Sequence, residues 1–337
     1  MRQWLDRLNG DPMPWLLEES TPAVRHLALR QLLDRAADDS EVVQARSRAM
    51  ETDPIGSILA AQDPEGWWVK PGRGYAPKYT GTIWNVTFLD QLGADGADPR
   101  VRGACEYILA HTQAPSGGFA AIGGQGMPTP SGVIHCLNGN LLRALIGFGW
   151  LGDERVGRCI DWQAAAVTGE GMERWYAVTP GPGFACGVNE GRPCAWGAVK
   201  AVLALARVPR ERRSSVVERA LTAGVDLLLS RDPAVADYPM PQANTRPSGS
   251  WFKLGFPSGY VADVLQTLEA LVEAGAAGDP RLDHAVEWLL AQQDAQGRWA
   301  NRYPYNGKMV RDIDRPGQPS KWVTLRACRV LKAVAEA

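Results

Sequence analysis

Apolar residues along the chain recur at three- and four-residue steps, in segments such as PIGSILAA, ACEYILAH, LLRALIGFGW, AVKAVLALA and AVEWLLAQ. That period belongs to helices, and no β-hairpin or dinucleotide-fold pattern competes with it. The helices fall into two sets. One set, over about 41–62, 97–112, 153–166, 211–230 and 279–292, keeps one charged face, as in VVERALTAGVDLLLSR. The other, over about 22–36, 80–92, 131–149, 194–206, 257–273 and 319–335, is more apolar around its whole circumference, which predicts burial on all sides. Alternation of the two sets predicts hairpins with one outer and one inner helix.

Two short markers repeat in step with these hairpins. Glutamine, glycine four residues later and an aromatic two beyond occur as Gln62…Gly66…Trp68, Gln113…Gly117…Phe119 and Gln293…Gly297…Trp299. The first two glutamines are 51 positions apart and the third lies 180 further on, room for about three more units. The second marker is Asp98-Pro99-Arg100-Val101, Asp153-Glu154-Arg155-Val156 and Asp279-Pro280-Arg281-Leu282. Each follows a glycine-containing turn and opens a helix: aspartate caps free N–H groups, and proline at the first helical position loses nothing. Two markers in register predict an all-α fold, a single α/α toroid of about five to six helical hairpins. It takes in residues 1–337 as one domain, with 1–20 an N-terminal extension. Long Gly- and Pro-containing loops before inner helices, such as VKPGRGYAPKYTG and IGGQGMPTPSG, predict that one end of the ring is the mouth of a site.

Composition narrows the partners. A net charge of -1 offers no basic face for nucleic acid. No segment reaches the roughly 18 apolar residues of a spanning helix, and no signal-peptide core is present, so a cytoplasmic protein is expected. A reducing compartment makes the six cysteines thiols or ligands rather than a disulfide framework. Composition sets no oligomeric state.

The Gln-x3-Gly-x-Trp template resembles the QW motif of squalene–hopene and oxidosqualene cyclases and the related repeats of protein prenyltransferase β subunits. The resemblance covers about residues 50–335 and implies an α/α toroid in which glutamine and aromatic staple neighbouring hairpins. It implies terpenoid cyclase or prenyltransferase chemistry on an isoprenoid or other apolar small molecule in a central cavity. The acid of class II cyclases, Asp-x-Asp-Asp, is absent; the nearest string is Asp312-Ile313-Asp314-Arg315. The zinc-ligating Asp-x-Cys of protein prenyltransferases is absent too. His135-Cys136 and Cys194-Ala-Trp-Gly also resemble, loosely, motifs of LanC-type lanthionine cyclases, toroids with a zinc–thiol mouth. The rival from a different class is a non-catalytic toroid that binds an apolar ligand or peptide.

Three places carry candidate chemistry. Cys136, Cys186 and Cys194 lie at or near consecutive inner-helix starts, and three thiols with Asp161, His135, Cys159 or water as a fourth ligand can hold zinc. Tyr260 and Asp263 are three apart in a predicted inner helix, and a buried carboxyl there is a candidate general acid. Trp84, Trp196, Trp251 and Trp322 at inner-helix starts are candidates for an aromatic substrate wall, with Arg143 and Lys321 as cations for an anionic head group. Lys200, Lys308 and Arg326 are further cations of that kind. The bland alternatives are packing for the tryptophans, core residues for the cysteines and a structural pair for Asp263.

Overall fold

The computed structural model describes residues 3–120, 127–172, 180–244 and 246–337. A single turn, α1 (Met13–Leu16), precedes α2 (Pro22–Gln31), α3 (Ser40–Glu51), α4 (Ile55–Ala60), α5 (Thr82–Gln91), α6 (Pro99–His111) and α7 (His135–Gly147). Then follow α8 (Glu154–Thr168), α9 (Ala195–Ala206), α10 (Ser215–Leu229), α11 (Val264–Glu273), α12 (Asp283–Leu290) and α13 (Lys321–Ala335). A two-residue antiparallel pair, β1 (Pro180–Gly181) with β2 (Ala185–Cys186), stands before α9.

Around the inside, α5 packs on α7, α7 on α9, α9 on α11, α11 on α13, and α13 back on α2. Leu27 of α2 lies over Gly93, just past α5, and closes the circle. Leu27, Thr87, Asn140, Leu203, Gln266 and Leu325, one from each of these six helices, line a single central cavity. The fold is the all-α toroid that the repeat pattern predicts, with six inner helices among the described residues.

The two sequence markers meet in space. Gln62 Nε2 donates to Arg100 O at 3.0 Å and Gln113 Nε2 to Arg155 O at 2.6 Å, so each glutamine ties its loop to the next Asp-capped helix start. Asp98 and Asp153 accept from the N–H groups of those same arginines at 2.8 Å. The third glutamine, Gln293, accepts from Asn9 N–H at 2.8 Å instead. The N-terminal segment thus takes the place of the next outer helix, and the staple closes the ring. Trp68 Nε1 donates to Ile58 O and Trp299 Nε1 to Leu289 O, each at 2.7 Å. These motif residues are structural.

Helix boundaries depart from the sequence expectation where proline and glycine intervene. The first outer helix is broken between α3 and α4 at Thr52-Asp53-Pro54. The inner helix expected from 257 begins only at Val264. Pro257, Ser258 and Gly259 leave residues 255–262 as an irregular segment lying across the ring. It is held from all sides: Gln91 of α5 exchanges two hydrogen bonds with the backbone of Ser258 (2.7 and 2.8 Å), and Asn140 of α7 donates to Gly259 O at 3.1 Å. Lys200 of α9 donates to Val261 O at 3.3 Å and Arg326 of α13 to Gly255 O at 2.8 Å. This segment is a plug. Part of the loop IGGQGMPTPSG lies outside the described residues.

Candidate functional site

The central cavity is small and charged. It leaves about 70 Å³, room for a few waters rather than an apolar substrate. Arg207 pairs with Asp90 at 2.7 Å, Arg143 with Glu273 at 3.0 Å, and Arg329 with Glu273 at 2.9 Å. Arg326 grips both oxygens of Glu269, at 2.6 to 3.0 Å, with both side chains buried. Burial pushes the Glu269 carboxyl up, but Arg326 outweighs it and holds the group down at about 2. Arg143, expected as a head-group cation, is consumed by this network. The expectation of an apolar central cavity is corrected, because the axis is filled by ion pairs and closed by the plug.

Asp263 and Tyr260 do not share a helix face, since α11 starts after both. Asp263 caps α11 instead, accepting from Gln266 N–H at 2.7 Å and from Gly255 N–H at 2.8 Å. Burial raises its carboxyl, opposed by Arg326 and these N–H groups. A capping carboxylate sealed at 5% exposure has no substrate to reach, so the catalytic expectation for Asp263 gives way to a structural one. Tyr260 sits on the plug in an aromatic cluster. Its ring centroid is 5.0 Å from Trp84 and 6.2 Å from Tyr75, with Lys78 Nζ above it at 5.6 Å. Trp84 is buried there and donates to Tyr75 O at 2.9 Å. Beneath the plug, Lys200 is sealed among Val261 O and Gln266 Oε1, and burial lowers its ammonium to about 7.

The cysteine sector is assembled in part. Cys186 and Cys194 face each other, and Cys136 lies within electrostatic reach of both. The Cys194 thiol donates to Cys186, which lowers Cys186 to about 6 against the effect of burial, while Cys194 rises. Burial pushes Cys136 up to about 12. Among the described residues no three of His, Cys, Asp and Glu come close enough to hold a metal. Asp161 is exposed on α8. His135 has both ring nitrogens engaged, with Gly181 O and the Gln163 amide each at 3.1 Å, and burial lowers it to about 4. Cys159 donates to Asn138 Oδ1 at 3.2 Å, and burial raises its thiol. This donor set does not fit a zinc ion.

A larger space opens between the N-terminal ends of α2 and α13. It measures about 350 Å³, within the range of small-molecule sites, and Trp15, Val24, Asp314, Lys321 and Trp322 line it. Asp53, Arg311 and Asp312 stand at the same cleft. Asp314 is held by Asn301 Nδ2 at 3.1 Å and Ser320 Oγ at 2.5 Å. Burial raises its carboxyl, and these two hydrogen bonds only partly oppose the rise. Lys321 is fixed by Glu18 at 2.7 Å and Thr21 Oγ1 at 2.8 Å. One face of Trp322 stacks on Phe256 of the plug, centroids 4.8 Å apart. Asp314 is therefore part of the cleft wall, whereas Asp312 is an exposed loop residue at its edge.

The residues expected around one mouth thus divide over three places. Trp322 and Lys321 line the cleft, Trp196 and Trp251 stand beside Cys186 and Cys194, and Trp84 and Tyr260 belong to the plug cluster. Trp15 and Asp53, which complete the cleft, carried no sequence signal; they come from chain segments remote from Asp314.

No protein-family model matches the chain, and no curated protein sequence matches it. Among solved structures, type II terpene cyclase MstE from Scytonema is similar at 15% identity, with 86% of this chain and 98% of that chain covered and a TM-score of 0.34. An unsaturated glucuronyl hydrolase specific for heparin is similar at 10% identity, covering 94% and 86%, with a TM-score of 0.49. A protein from Actinoplanes is similar at 15% identity, covering 87% and 99%, with a TM-score of 0.32. The ring stands on its own contacts, and no activity passes to this chain from likenesses this distant.

Proposed function

We propose that the chain is a general-acid enzyme of terpenoid cyclase type, acting on a small unsaturated molecule with an apolar body, in the cleft between α2 and α13. One observation carries the reading: a carboxyl raised by burial, Asp314, is fixed by two hydrogen bonds in the wall of an aromatic-lined cleft of about 350 Å³. A carboxyl whose pKa burial raises holds its proton more tightly than a solvated one, which suits it to act as a general acid toward a carbon–carbon double bond. Ser320 and Asn301 then stabilise the carboxylate left behind. The face of Trp322 turned to the cleft meets the cationic carbon that forms, and the one ammonium N–H of Lys321 left over by Glu18 and Thr21 takes a hydroxyl head group.

The charged part of the wall favours a second reading. Asp53, Arg311, Asp312 and Lys321 suit a more polar unsaturated ring, with Asp314 again as the acid. Farnesol and geranylgeraniol are the first probes. Titration is expected to quench tryptophan fluorescence, and gas chromatography with mass detection should show isomeric or cyclised products. Asp314→Asn should keep the quenching and lose the products. Turnover unaffected by that change would sink the acid assignment; no quenching by either alcohol would remove the isoprenoid class and leave the polar ring to be tested.

A further inference from the structure

Away from the cleft, a second site is built around two thiols. Ala185 bridges Pro193 in antiparallel fashion, Cys186 N–H donates to Arg192 O at 3.2 Å, and Cys194 N–H donates to Phe184 O at 2.9 Å. In that register Cys186 and Cys194 are diagonal neighbours on one face. Both sulfurs line the same groove, and the Cys194 thiol beside Cys186 favours the Cys186 thiolate. The short turn Gly187–Asn189 follows Cys186 directly, and its Val188 and Asn189 N–H groups favour the thiolate in the same direction. These groups favour the Cys186 thiolate over its thiol, which makes Cys186 the nucleophile of the pair.

Beside that sulfur runs an apolar groove of about 110 Å³, lined with the two cysteines by Trp196, Tyr238, Met240 and Trp251. Trp251 is only 2% exposed, yet its indole N–H meets no acceptor among the described residues, and neither does that of Trp196. Buried donors are ordinarily satisfied. Trp4, Trp150 and Trp162 are unpaired in the same way, but only Trp196 and Trp251 stand in the wall of an apolar groove, where a ligand that brings carbonyl oxygens with an apolar body would satisfy them. Nearly all the lining is apolar, which excludes a highly charged ligand.

We propose that Cys186 and Cys194 form a thiol–disulfide exchange site whose substrate is a disulfide carried on a peptide with an apolar side chain, its amide carbonyls accepting from Trp196 and Trp251. Cys186 thiolate attacks one substrate sulfur; the substrate S–S bond breaks, and the departing peptide thiolate takes a proton from water. Cys194 gives its proton to solvent and attacks Cys186 Sγ in the mixed disulfide, which releases the second peptide thiol. The protein dithiol is oxidised by two electrons and the substrate disulfide is reduced to two thiols. An external dithiol of the dithiothreitol class resets the protein.

The test uses the reduced full-length chain and the disulfide-linked dimer of a Phe-Cys-Phe amide, with acid quenching, alkylation and peptide mapping. The expected product is a Cys186–Cys194 bridge with two peptide thiols released per chain. Cys194→Ser should stop at the mixed disulfide on Cys186, and Cys186→Ser should leave the dimer intact. Trp251→Phe keeps a ring in the groove but loses its N–H, and should slow the reaction about tenfold. Adducts on Cys136 or on the buried Cys105, Cys159 or Cys328 ahead of Cys186 would overturn the proposal, as would a Cys186→Ser variant reacting at the parent rate. Mapping of the parent chain decides the matter even if a variant misfolds. Asp314→Asn should leave this exchange untouched, so failure here is distinct from failure of the cleft reading.

Discussion

Glu269 and Asp314 show how burial acts with opposite outcomes on two carboxyls. Beside Arg326, Glu269 is held down at about 2, so its contribution to stability is present above its unfolded value near ~4.3 and fades as pH falls through about 2. Removing its charge leaves the buried Arg326 guanidinium unpaired. Glu269→Gln is therefore expected to cost about 3–5 kcal/mol in urea unfolding at pH 7, and Glu269→Leu with Arg326→Met to recover part of that loss. Equal instability of single and double variants would show that packing, not charge, dominates there. For Asp314 the direction is reversed. Its raised carboxyl means the folded state holds the proton more tightly, so this residue's contribution is full below the ordinary value near ~3.9 and is lost as pH rises through the raised one. Asp314→Asn should accordingly gain thermal stability relative to the parent at pH 7 but not at pH 3. The same protonation governs the proposed activity: kcat/KM should fall with a one-proton slope on the alkaline side, and the residual rate of Asp314→Asn should lack that limb.

Each hairpin depends on its loop glycine as much as on its glutamine. Gly117 has a φ of +96°, and a Cβ there would stand 2.6 Å from Arg158 O of α8; Gly66, at +95°, meets Gly103 O of α6 in the same way. Gly117→Ala is expected to cost about 1–3 kcal/mol from backbone strain alone, and more because the carbonyl must move. Gly157, inside α8, has nothing within 4 Å of such a Cβ, and Gly157→Ala should stabilise by about 0.5–1 kcal/mol. Chemical denaturation of the two variants checks both signs, and a harmless Gly117→Ala would undo the staple argument. These elements were legible because each is written locally: an apolar period, a cap and a turn glycine. The plug was not, because SGYVADVLQTLEALV continues the helical period through residues whose backbone is bound elsewhere, by Gln91, Asn140 and Lys200. Polar residues within apolar inner helices were the available signal, and they read equally well as catalytic groups. Ion pairs such as Arg207 with Asp90 join residues more than a hundred positions apart, beyond the reach of any local pattern.

The ring has a seam, and the proposed cleft lies on it. Inner helices α2 and α13 are first and last in sequence, yet they pack together and shape the cavity around Asp314. What holds the seam is the N-terminal segment. Trp4 is buried at 2%, Gln293 accepts from Asn9, Arg7 pairs with Glu287 at 2.5 Å, and Lys321 is tied to Glu18. Each other joint is made by inner helices of successive hairpins, whereas this one joins two inner helices some three hundred positions apart, so opening it does not require unfolding a hairpin. Deleting residues 2–10 takes away the Trp4 packing, the Gln293 staple and the Arg7 pair together. The shortened chain is expected to stay helical by circular dichroism while its melting broadens and its midpoint falls by more than about 2 °C, the shift that roughly 1–2 kcal/mol produces in a domain of this size. Hydrogen exchange should report faster opening in α2 and α13 than in α7 and α9, which sit opposite the seam. Quenching by the isoprenoid alcohols should weaken in step, because the cleft depends on the joint. Uniform exchange around the ring would mean that the inner ion-pair network, rather than the N-terminal clasp, keeps the toroid closed.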